Sequence, residues 1–203
     1  MQNHEQWLKA IPPDVGNYIA GFVDGEGSFN VSLRRREDHR LGWDVDPSFN
    51  VSQRDRVILA FLKKVFGCGT LRMRRDGVVY FEVRNTSMIA ERVIPFFERF
   101  HFRSAAKKRN FAIFKRIIQT LRSGPLSKES LEKVVWMREV LNEGHGRKRK
   151  YEAHHVFAGK SSETLRRTQL PPNTGVEENE MIKSDLTGDR EPRTQSGIRH
   201  SAN

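Results

Sequence analysis

Residues 18–29 read Tyr-Ile-Ala-Gly-Phe-Val-Asp-Gly-Glu-Gly-Ser-Phe. This stretch puts two carboxylates, Asp24 and Glu26, at the carboxyl end of a short apolar helix, where unpaired backbone carbonyls already carry partial negative charge. No Lys or Arg occurs between Lys9 and Arg34, although the chain of 203 residues has a net charge of +11. A bound cation would remove this electrostatic cost. Oxygen ligands of this kind favour Mg²⁺, which binds one or two carboxylates, keeps water and accepts phosphate oxygens.

The helix that carries these acids is predicted over residues 14–24. A Pro-Pro pair precedes it, and Asp14 is a suitable N-cap. Apolar residues at helical spacing predict the face that packs into the core: Val15, Tyr18, Ile19, Phe22 and Val23. The opposite face has short side chains that let another backbone approach, and we interpret it as a helix–helix contact: Asn17, Ala20, Gly21 and Asp24.

Residues 19–27 resemble the signature of LAGLIDADG homing endonucleases, in the variant form that ends in Asp-Gly-Glu-Gly. Glu26 takes the place of the final acid, which is the family's metal ligand. The resemblance therefore implies Mg²⁺, for which Mn²⁺ can substitute, held by Glu26 and the Gly25 carbonyl, with Asp24 as a further candidate ligand. It also implies an α+β fold of order αββαββα, in which a curved four-stranded antiparallel sheet is backed by helices and opens its concave face to DNA.

The hydrophobic pattern agrees with this element order over residues 14–150. Alternating apolar and polar residues predict strands, and apolar residues at helical spacing predict helices. We expect strands near residues 28–36, 47–54, 71–74 and 79–84, with a polar loop over 37–46, and helices near 55–66, 87–100 (broken at Pro95), 107–122 and 128–142. The last three helices would cover the apolar face of the sheet.

The outward positions of the predicted strands carry side chains that can read base edges. Arg pairs with guanine, Asn with adenine and Glu with cytosine, and each good bidentate contact contributes about 1–3 kcal/mol of discrimination. Any single position is equally compatible with a solvated sheet residue. Because the resemblance places this face on DNA, we expect DNA contacts from Asn30, Ser32, Arg34, Arg36, Asn50, Ser52, Arg72, Arg74, Tyr80, Glu82 and Arg84.

A long stretch from Arg99 to Lys128 contains nine basic residues and no acid, which is typical of phosphate contact. The resemblance implies that a Lys at the head of this helix reaches the scissile phosphate, and Lys107 matches that place best, with its neighbour Lys108 as the second candidate. Gln53 matches a polar residue that helps to position water. A later run, Arg-Lys-Arg-Lys at 147–150, is open to three interpretations: a phosphate clamp, a nuclear address or a solvated cluster.

Composition divides the chain at Phe157. Residues 158–203 contain 7 Lys+Arg, 7 Asp+Glu and no aromatic residue, so all the excess positive charge lies before them. We expect an N-terminal extension over 1–13, the endonuclease-like domain over 14–157 and a disordered polar tail over 158–203.

A single cysteine, Cys68, excludes an internal disulfide and cysteine-based zinc sites, and the histidines have no ligand spacing. There is no signal pattern or apolar stretch of membrane-spanning length, so we expect a soluble, intracellular protein, in a bacterial cytoplasm or an organelle.

Only one copy of the signature is present, and the resemblance therefore implies a homodimer whose paired helices bring two Glu26 side chains to the centre of the DNA. Two-fold symmetry favours a near-palindromic target. The implied activity is magnesium-dependent hydrolysis of double-stranded DNA with a staggered break, as in intron homing. Three alternatives stay open: a maturase that binds intron RNA, a DNA-binding regulator that does not cut, and a decayed element that still folds but is inactive.

Overall fold

The fold is built on one antiparallel sheet, and the structure, a computed structural model, describes residues 2–142 and 149–157. The helices are α1 (Gln2–Lys9), α2 (Pro13–Glu26), α3 (Arg56–Phe66), α4 (Thr86–Met88), α5 (Ile94–Arg99), α6 (Ala105–Arg122), α7 (Lys128–Val140) and α8 (Ala153–Val156). The strands are β1 (Gly27–Arg35), β2 (Trp43–Gln53), β3 (Thr70–Met73) and β4 (Val79–Val83). The predicted tail over 158–203 lies outside the described residues.

The sheet has the order β1-β2-β4-β3, and every neighbouring pair is antiparallel. Phe29 pairs with Phe49, and Phe49 pairs in turn with Val83, so one face of the sheet is a continuous apolar layer. The α2 and α3 helices and the helical stretch from α4 to α6 close over this layer. The other face carries the polar residues of each strand. The predicted α+β class, with a four-stranded antiparallel sheet backed by helices, is confirmed.

Phenylalanine rings form the centre of the core. Phe29 packs against five other rings, among them Phe49, at a centroid distance of 5.5 Å, and Phe114, at 5.0 Å. Phe66 and Phe97 continue the cluster towards α3 and α5. Edge-to-face and offset ring pairs of this kind contribute about 0.5–1.5 kcal/mol each beyond their buried area. The rigid core fixes the α2–β1 junction, which holds the two signature acids.

Element boundaries differ from the predictions at three places. The α2 helix begins at Pro13 after an N-cap at Pro12, so Asp14 lies in the first turn rather than at the cap; proline is favoured at this first position because its missing N–H needs no partner there. The β2 strand begins at Trp43, within the predicted loop, because its pairing continues to Arg35. Near Pro95 the helix does not break.

A π-helical turn, Ile89–Val93, carries the chain past Pro95. Ile94 donates its backbone N–H to the carbonyl of Ile89, five residues earlier, and the backbone stays helical on both sides. Proline has no N–H for the ladder and its ring clashes with the preceding turn of an α-helix, so the wider π turn accommodates it.

The N-terminal segment, expected only as an extension, forms α1 and packs on the core. The Trp7 indole N–H donates to the Val65 carbonyl at 2.7 Å, and the Arg92 guanidinium lies 4.5 Å from the centroid of the Trp7 ring. These contacts attach α1 to α3 and to the π-helical turn.

The free edge of β1 is covered by side chains that follow it by about a hundred residues. Arg138, which is 5% exposed, donates Nε–H to the Val31 carbonyl at 2.8 Å, and Asn142 donates from Nδ2 to the Phe29 carbonyl at 2.6 Å. Arg149 donates in turn to the carbonyls of Arg138 and Leu141, which closes the end of α7. The edge carbonyls that would attract another strand are therefore occupied.

None of the helices in the described part of the chain combines the length and the apolar character needed to span a bilayer.

Candidate active site and DNA-binding face

Glu26 is the last residue of α2, and β1 begins at the next residue, Gly27. A side chain at Gly27 would meet the Val23 side chain at 2.4 Å and its carbonyl at 2.7 Å, so the tight change from helix to strand requires glycine. Glu26 is exposed, and within residues 2–142 and 149–157 its carboxylate has neither a hydrogen-bond nor an ion-pair partner. It is therefore available to an external ligand.

Asp24, by contrast, is fully engaged within the fold. Its Oδ2 accepts the backbone N–H groups of Arg103 and Ser104, both at 2.9 Å, and its Oδ1 accepts the Ser104 hydroxyl. Burial alone would raise the pKa of Asp24, but the hydrogen bonds from Ser104 and Arg103 and the positive charge of Lys107 outweigh it and hold the pKa below the ordinary 3.8. Since both oxygens are occupied, Asp24 connects the end of α2 to the head of α6.

Lys107 lies on the first turn of α6 and reaches the α2–β1 junction. Its Nζ donates to the Gly27 carbonyl, one residue beyond Glu26. Burial lowers the pKa of Lys107, and the charges of Asp24 and Glu26 offset part of that shift. A cation that lies 80 residues further along the chain than Gly27 is thus held beside the Glu26 carboxylate.

The junction fits a magnesium ion. The Glu26 carboxylate and the Gly25 carbonyl are hard oxygen donors, and the space that a side chain at Gly25 would fill is open to 4 Å. The described residues contain no cluster of three or more His, Cys, Asp or Glu side chains that could enclose a metal. Mg²⁺ is the ion that suits so few protein ligands, because it keeps several waters and completes its shell with phosphate oxygens.

Gln53 ends β2 on the same side of the sheet. Gly27 pairs with Val51, so Gln53 lies two residues past the pairing that opens β1. Its side-chain carbonyl accepts the Arg54 backbone N–H at 2.9 Å, which leaves its amide NH₂ group available. Because the two strands are antiparallel, the fold thus brings the end of β2 and the α2–β1 junction to the same end of the sheet.

The polar face of the sheet carries most of the predicted DNA-binding residues. The strand register places them in neighbouring rows: Ser28 with Asn50, Asn50 with Glu82, Ser52 with Tyr80, and Arg72 with Tyr80. Asn30 and Ser32 follow along β1. A cavity of about 600 Å³ lies over this face, with Arg138, Asn142, Arg149, Lys150 and Tyr151 along its second wall.

Three nominated arginines lie just beyond the strand ends. Arg36 folds back on Asp38, with a contact of 2.6 Å, and Arg74 donates to the Tyr80 hydroxyl, also at 2.6 Å. Arg84 follows β4 directly and pairs with Asp46 at 2.8 Å. These side chains remain partly exposed, so each can still approach a base or a phosphate.

Residues 19–133 match the family model described as LAGLIDADG endonuclease. The chain belongs to the LAGLIDADG endonuclease family. The homing endonuclease I-ApeII of Aeropyrum pernix is 34% identical over 106 residues, which are 51% of this chain and 62% of that relative. The chain thus spans less than two thirds of that relative's length.

Two solved structures show the same architecture. The homing endonuclease I-TnaI superposes with a TM-score of 0.61 at 30% identity, over 78% of this chain and 99% of that one. The archaeal intron-encoded homing endonuclease I-Vdi141I, solved in complex with DNA, superposes with a TM-score of 0.63 at 29% identity, over 70% and 92% of the respective chains. Each match covers nearly the full length of the solved chain.

The signature helix of this LAGLIDADG chain has a different outer face from the one that we predicted. Ala20 is 2% exposed and lies in the core, so its assignment to the exposed contact face is wrong. Tyr18 is 56% exposed, so its assignment to the core is wrong as well. The buried residues of α2 are Gly16, Ile19, Ala20 and Val23; the exposed ones include Asp14, Asn17, Tyr18, Gly21 and Gly25.

Gly21 and Gly25 leave the outer face of α2 flat, since a side chain at either position would meet no atom within 4 Å. The two glycines are four residues apart and therefore lie one above the other on the helix. Another backbone can approach closely along this row.

Several residues of the basic run between Arg99 and Lys128, which we expected to contact phosphate, form contacts within the fold instead. Arg99 donates to the Leu8 carbonyl, and Lys115 forms an ion pair with Glu98 at 2.6 Å. Arg122 lies 3.8 Å from Glu91. In the 147–150 run, Arg149 binds the carbonyls at the end of α7, whereas 147 and 148 lie outside the described residues.

Proposed function

We propose that the chain is a site-specific DNA endonuclease that hydrolyses both strands of a long, near-palindromic target, with the polar face of the sheet on the DNA. The observation that carries the proposal is the convergence at the α2–β1 junction. Glu26 has no hydrogen-bond or ion-pair partner among the described residues, Lys107 binds the adjacent Gly27 carbonyl, and Asp24 joins the two elements that carry them. A protein that only bound DNA would have no physical need for a free carboxylate on a basic surface.

Each junction residue has a distinct role in the proposed reaction. Glu26 and the Gly25 carbonyl would hold Mg²⁺, or Mn²⁺ in its place, and a bound ion would supply an activated water and neutralise charge on the leaving oxygen. Lys107 stabilises negative charge that develops on the phosphate, and the free amide of Gln53 orients the water. Asp24 keeps the head of α6, and with it Lys107, beside Glu26.

The active enzyme is a homodimer in this proposal. One chain has one signature helix and therefore one Glu26, whereas a double-strand break needs two reaction sites. Pairing the outer faces of two α2 helices through Asn17, Gly21 and Gly25 brings both junctions to the two-fold axis. The two cuts then lie close together across the DNA, which gives a staggered break at the centre of the site.

The test captures target sites from a randomised duplex library in Ca²⁺ and then exchanges the ion for Mg²⁺. The wild type should cut at a fixed stagger, whereas Glu26→Gln should bind the same sites without cutting. Glu37→Gln is the matched control, because Glu37 is an exposed residue on the β1–β2 turn whose carboxylate forms no hydrogen bond or ion pair with the described residues. Cleavage that survives Glu26→Gln, or a parallel loss of binding and cleavage, contradicts the assignment.

The same library measures the electrostatic part of binding. If Lys and Arg side chains neutralise several phosphates, log Kd should rise steeply and linearly with log salt concentration. A nearly flat salt dependence overturns the nucleic-acid proposal. Selective binding of DNA without cuts by the wild type identifies a regulator instead, and preference for intron RNA over duplex DNA identifies a maturase.

A further inference from the structure

Asp46, which the sequence pattern placed in a loop, lies on the polar face of β2, in the part of that strand that pairs with β1 and extends past the end of β4. Its Oδ2 accepts from the Nη2 groups of two arginines, Arg34 from the β1 side and Arg84 from the β4 side, the latter at 2.8 Å. Ser32 is its register partner on β1, so Arg34, two residues further along β1, reaches it diagonally. A single carboxylate oxygen on β2 thus joins a side chain of β1 to that of Arg84, the residue that directly follows β4.

Exposure differs between the acid and its partners. The Asp46 side chain is 15% exposed, whereas those of Arg34 and Arg84 are 50% and 43% exposed. The carboxylate is therefore the inner member of the group, and the two guanidiniums form its outer surface. The group keeps a net positive charge.

Each guanidinium gives only one nitrogen to Asp46, although it has five N–H donors in a fixed fork. The remaining donors of Arg34 have no hydrogen-bond partner in the described part of the chain, and Arg84 has one long ion pair besides, with Glu82 at 3.8 Å. Two N–H donors of one fork match the O6 and N7 acceptors of guanine in the major groove. Both arginines are thus able to bind a guanine while they stay attached to Asp46.

We propose that Asp46 is a positioning residue that holds Arg34 and Arg84 ready to read two guanines of each half-site. The inference rests on the proposed DNA-binding function and goes beyond it by naming two base identities and the residue that fixes them. An arginine restrained before binding loses less conformational freedom on binding, so its preference for guanine over other bases is sharper.

The shared oxygen also limits how far apart the two guanines are. Both Nη2 atoms lie within hydrogen-bond distance of Oδ2, so they are separated by less than about 6 Å. Base pairs stack at about 3.4 Å, so two restrained guanidiniums reach adjacent or next-but-one base pairs. The selected half-site should therefore contain two guanines, on either strand, within three consecutive base pairs.

The test is the base-preference profile selected from a randomised duplex library in Ca²⁺. Asp46→Asn should lower the guanine preference about fivefold to tenfold at two neighbouring positions together and leave the other positions unchanged. Asp44→Asn is the matched control, because Asp44 lies directly opposite Arg34 in the strand register but forms no hydrogen bond or ion pair with it in the described residues. It should leave the profile of the wild type intact.

A second comparison separates positioning from direct reading. In an Arg34→Ala/Arg84→Ala background, Asp46→Asn should have no further effect on the profile, because Asp46 acts only through the two arginines. A change in that background means that Asp46 reads a base itself, and this overturns the proposal, as does a uniform loss of preference at every position. If the wild type selects no site at all, the proposed function fails; if it selects a site that Asp46→Asn leaves unchanged, only this inference fails.

Folding of each variant is checked by its thermal melt. If Asp46→Asn does not fold, Arg84→Lys replaces it, because lysine keeps the charge beside Asp46 and loses the guanidinium fork. That variant should lose the guanine preference at one of the two positions and keep it at the other. Loss at both positions, or at neither, overturns the proposal.

Discussion

The connection between Asp24 and the head of α6 permits a quantitative test through Asp24→Asn. The substitution is isosteric, so it leaves no cavity, and its single oxygen can still accept the backbone N–H groups of Arg103 and Ser104. The two backbone hydrogen bonds then have a neutral acceptor in place of a charged one, and the hydrogen bond from the Ser104 hydroxyl is lost. Bonds to charged acceptors exceed neutral ones by about 1 kcal/mol each. With an allowance for partial exposure, the free energy of unfolding should fall by about 2 kcal/mol.

The pH dependence identifies the source of that loss. The pKa of Asp24 is lower in the folded protein than its ordinary value of 3.8, so its contribution is complete above that value and disappears as pH falls through the folded pKa. The difference in the free energy of unfolding between the wild type and Asp24→Asn should therefore be largest at neutral pH and should shrink as the solution becomes acidic. Urea denaturation from pH 7 down to pH 3, at one protein concentration, measures it.

Asp14→Asn is the control for this experiment, since Asp14 is an exposed aspartate at the other end of the same helix. It should lose only the helix-dipole interaction, about 0.5 kcal/mol. The reasoning is refuted if Asp24→Asn costs no more than this control at pH 7, or if its loss is the same at pH 3 and at pH 7.

Two further predictions concern the site and the helix face. Lys107→Met should slow cleavage at least a hundredfold, because it removes a group that stabilises charge in the transition state. The DNA dissociation constant should stay within a few-fold of the wild-type value. Lys108→Met, at the exposed neighbouring position, is the control and should cut at nearly the wild-type rate. Gly21→Leu should leave the melting temperature of the monomer unchanged, because a Cβ at this position would meet no atom of the described residues within 4 Å. It should raise the dimer dissociation constant in sedimentation, because the added side chain would stand on the face of α2 that packs against the partner helix in the proposed dimer. Gly16→Ala on the same helix should instead unfold the protein, because its new Cβ would lie 2.3 Å from the Phe100 ring. A dimer that tolerates Gly21→Leu contradicts the proposed interface.

The four strands of the sheet, α3 and the change from helix to strand at the α2–β1 junction could be predicted from the sequence, because the local signals for them are strong. Asp55 caps α3 by accepting the Val57 N–H, and Gly67 ends it at a φ of 64°. The contact of Lys107 with Gly27 joins residues 80 positions apart, and no local pattern contains it. Only the family resemblance indicated that lysine.

The errors have identifiable physical causes. On α2 the buried residues follow the spacing i, i+3, i+4, i+7 from Gly16 to Val23, but a glycine at the start of the row hid it, and Ala20 was placed on the wrong face. Asp46 was missed because the polar stretch over residues 37–46 suggested a loop. The alternation of Trp43, Val45 and Pro47 with polar neighbours was the strand signal that could have found it.

The covered edge of β1 has a consequence for synthesis on the ribosome. β1 is the first strand to emerge, but the side chains that occupy its edge carbonyls, Arg138 and Asn142, emerge more than a hundred residues later. Until then the nascent chain exposes an unpaired strand edge, which is a template for association with other chains. Fragments that stop before residue 138 should therefore aggregate during expression, even though they contain the whole sheet together with Asp24, Glu26, Gln53 and Lys107.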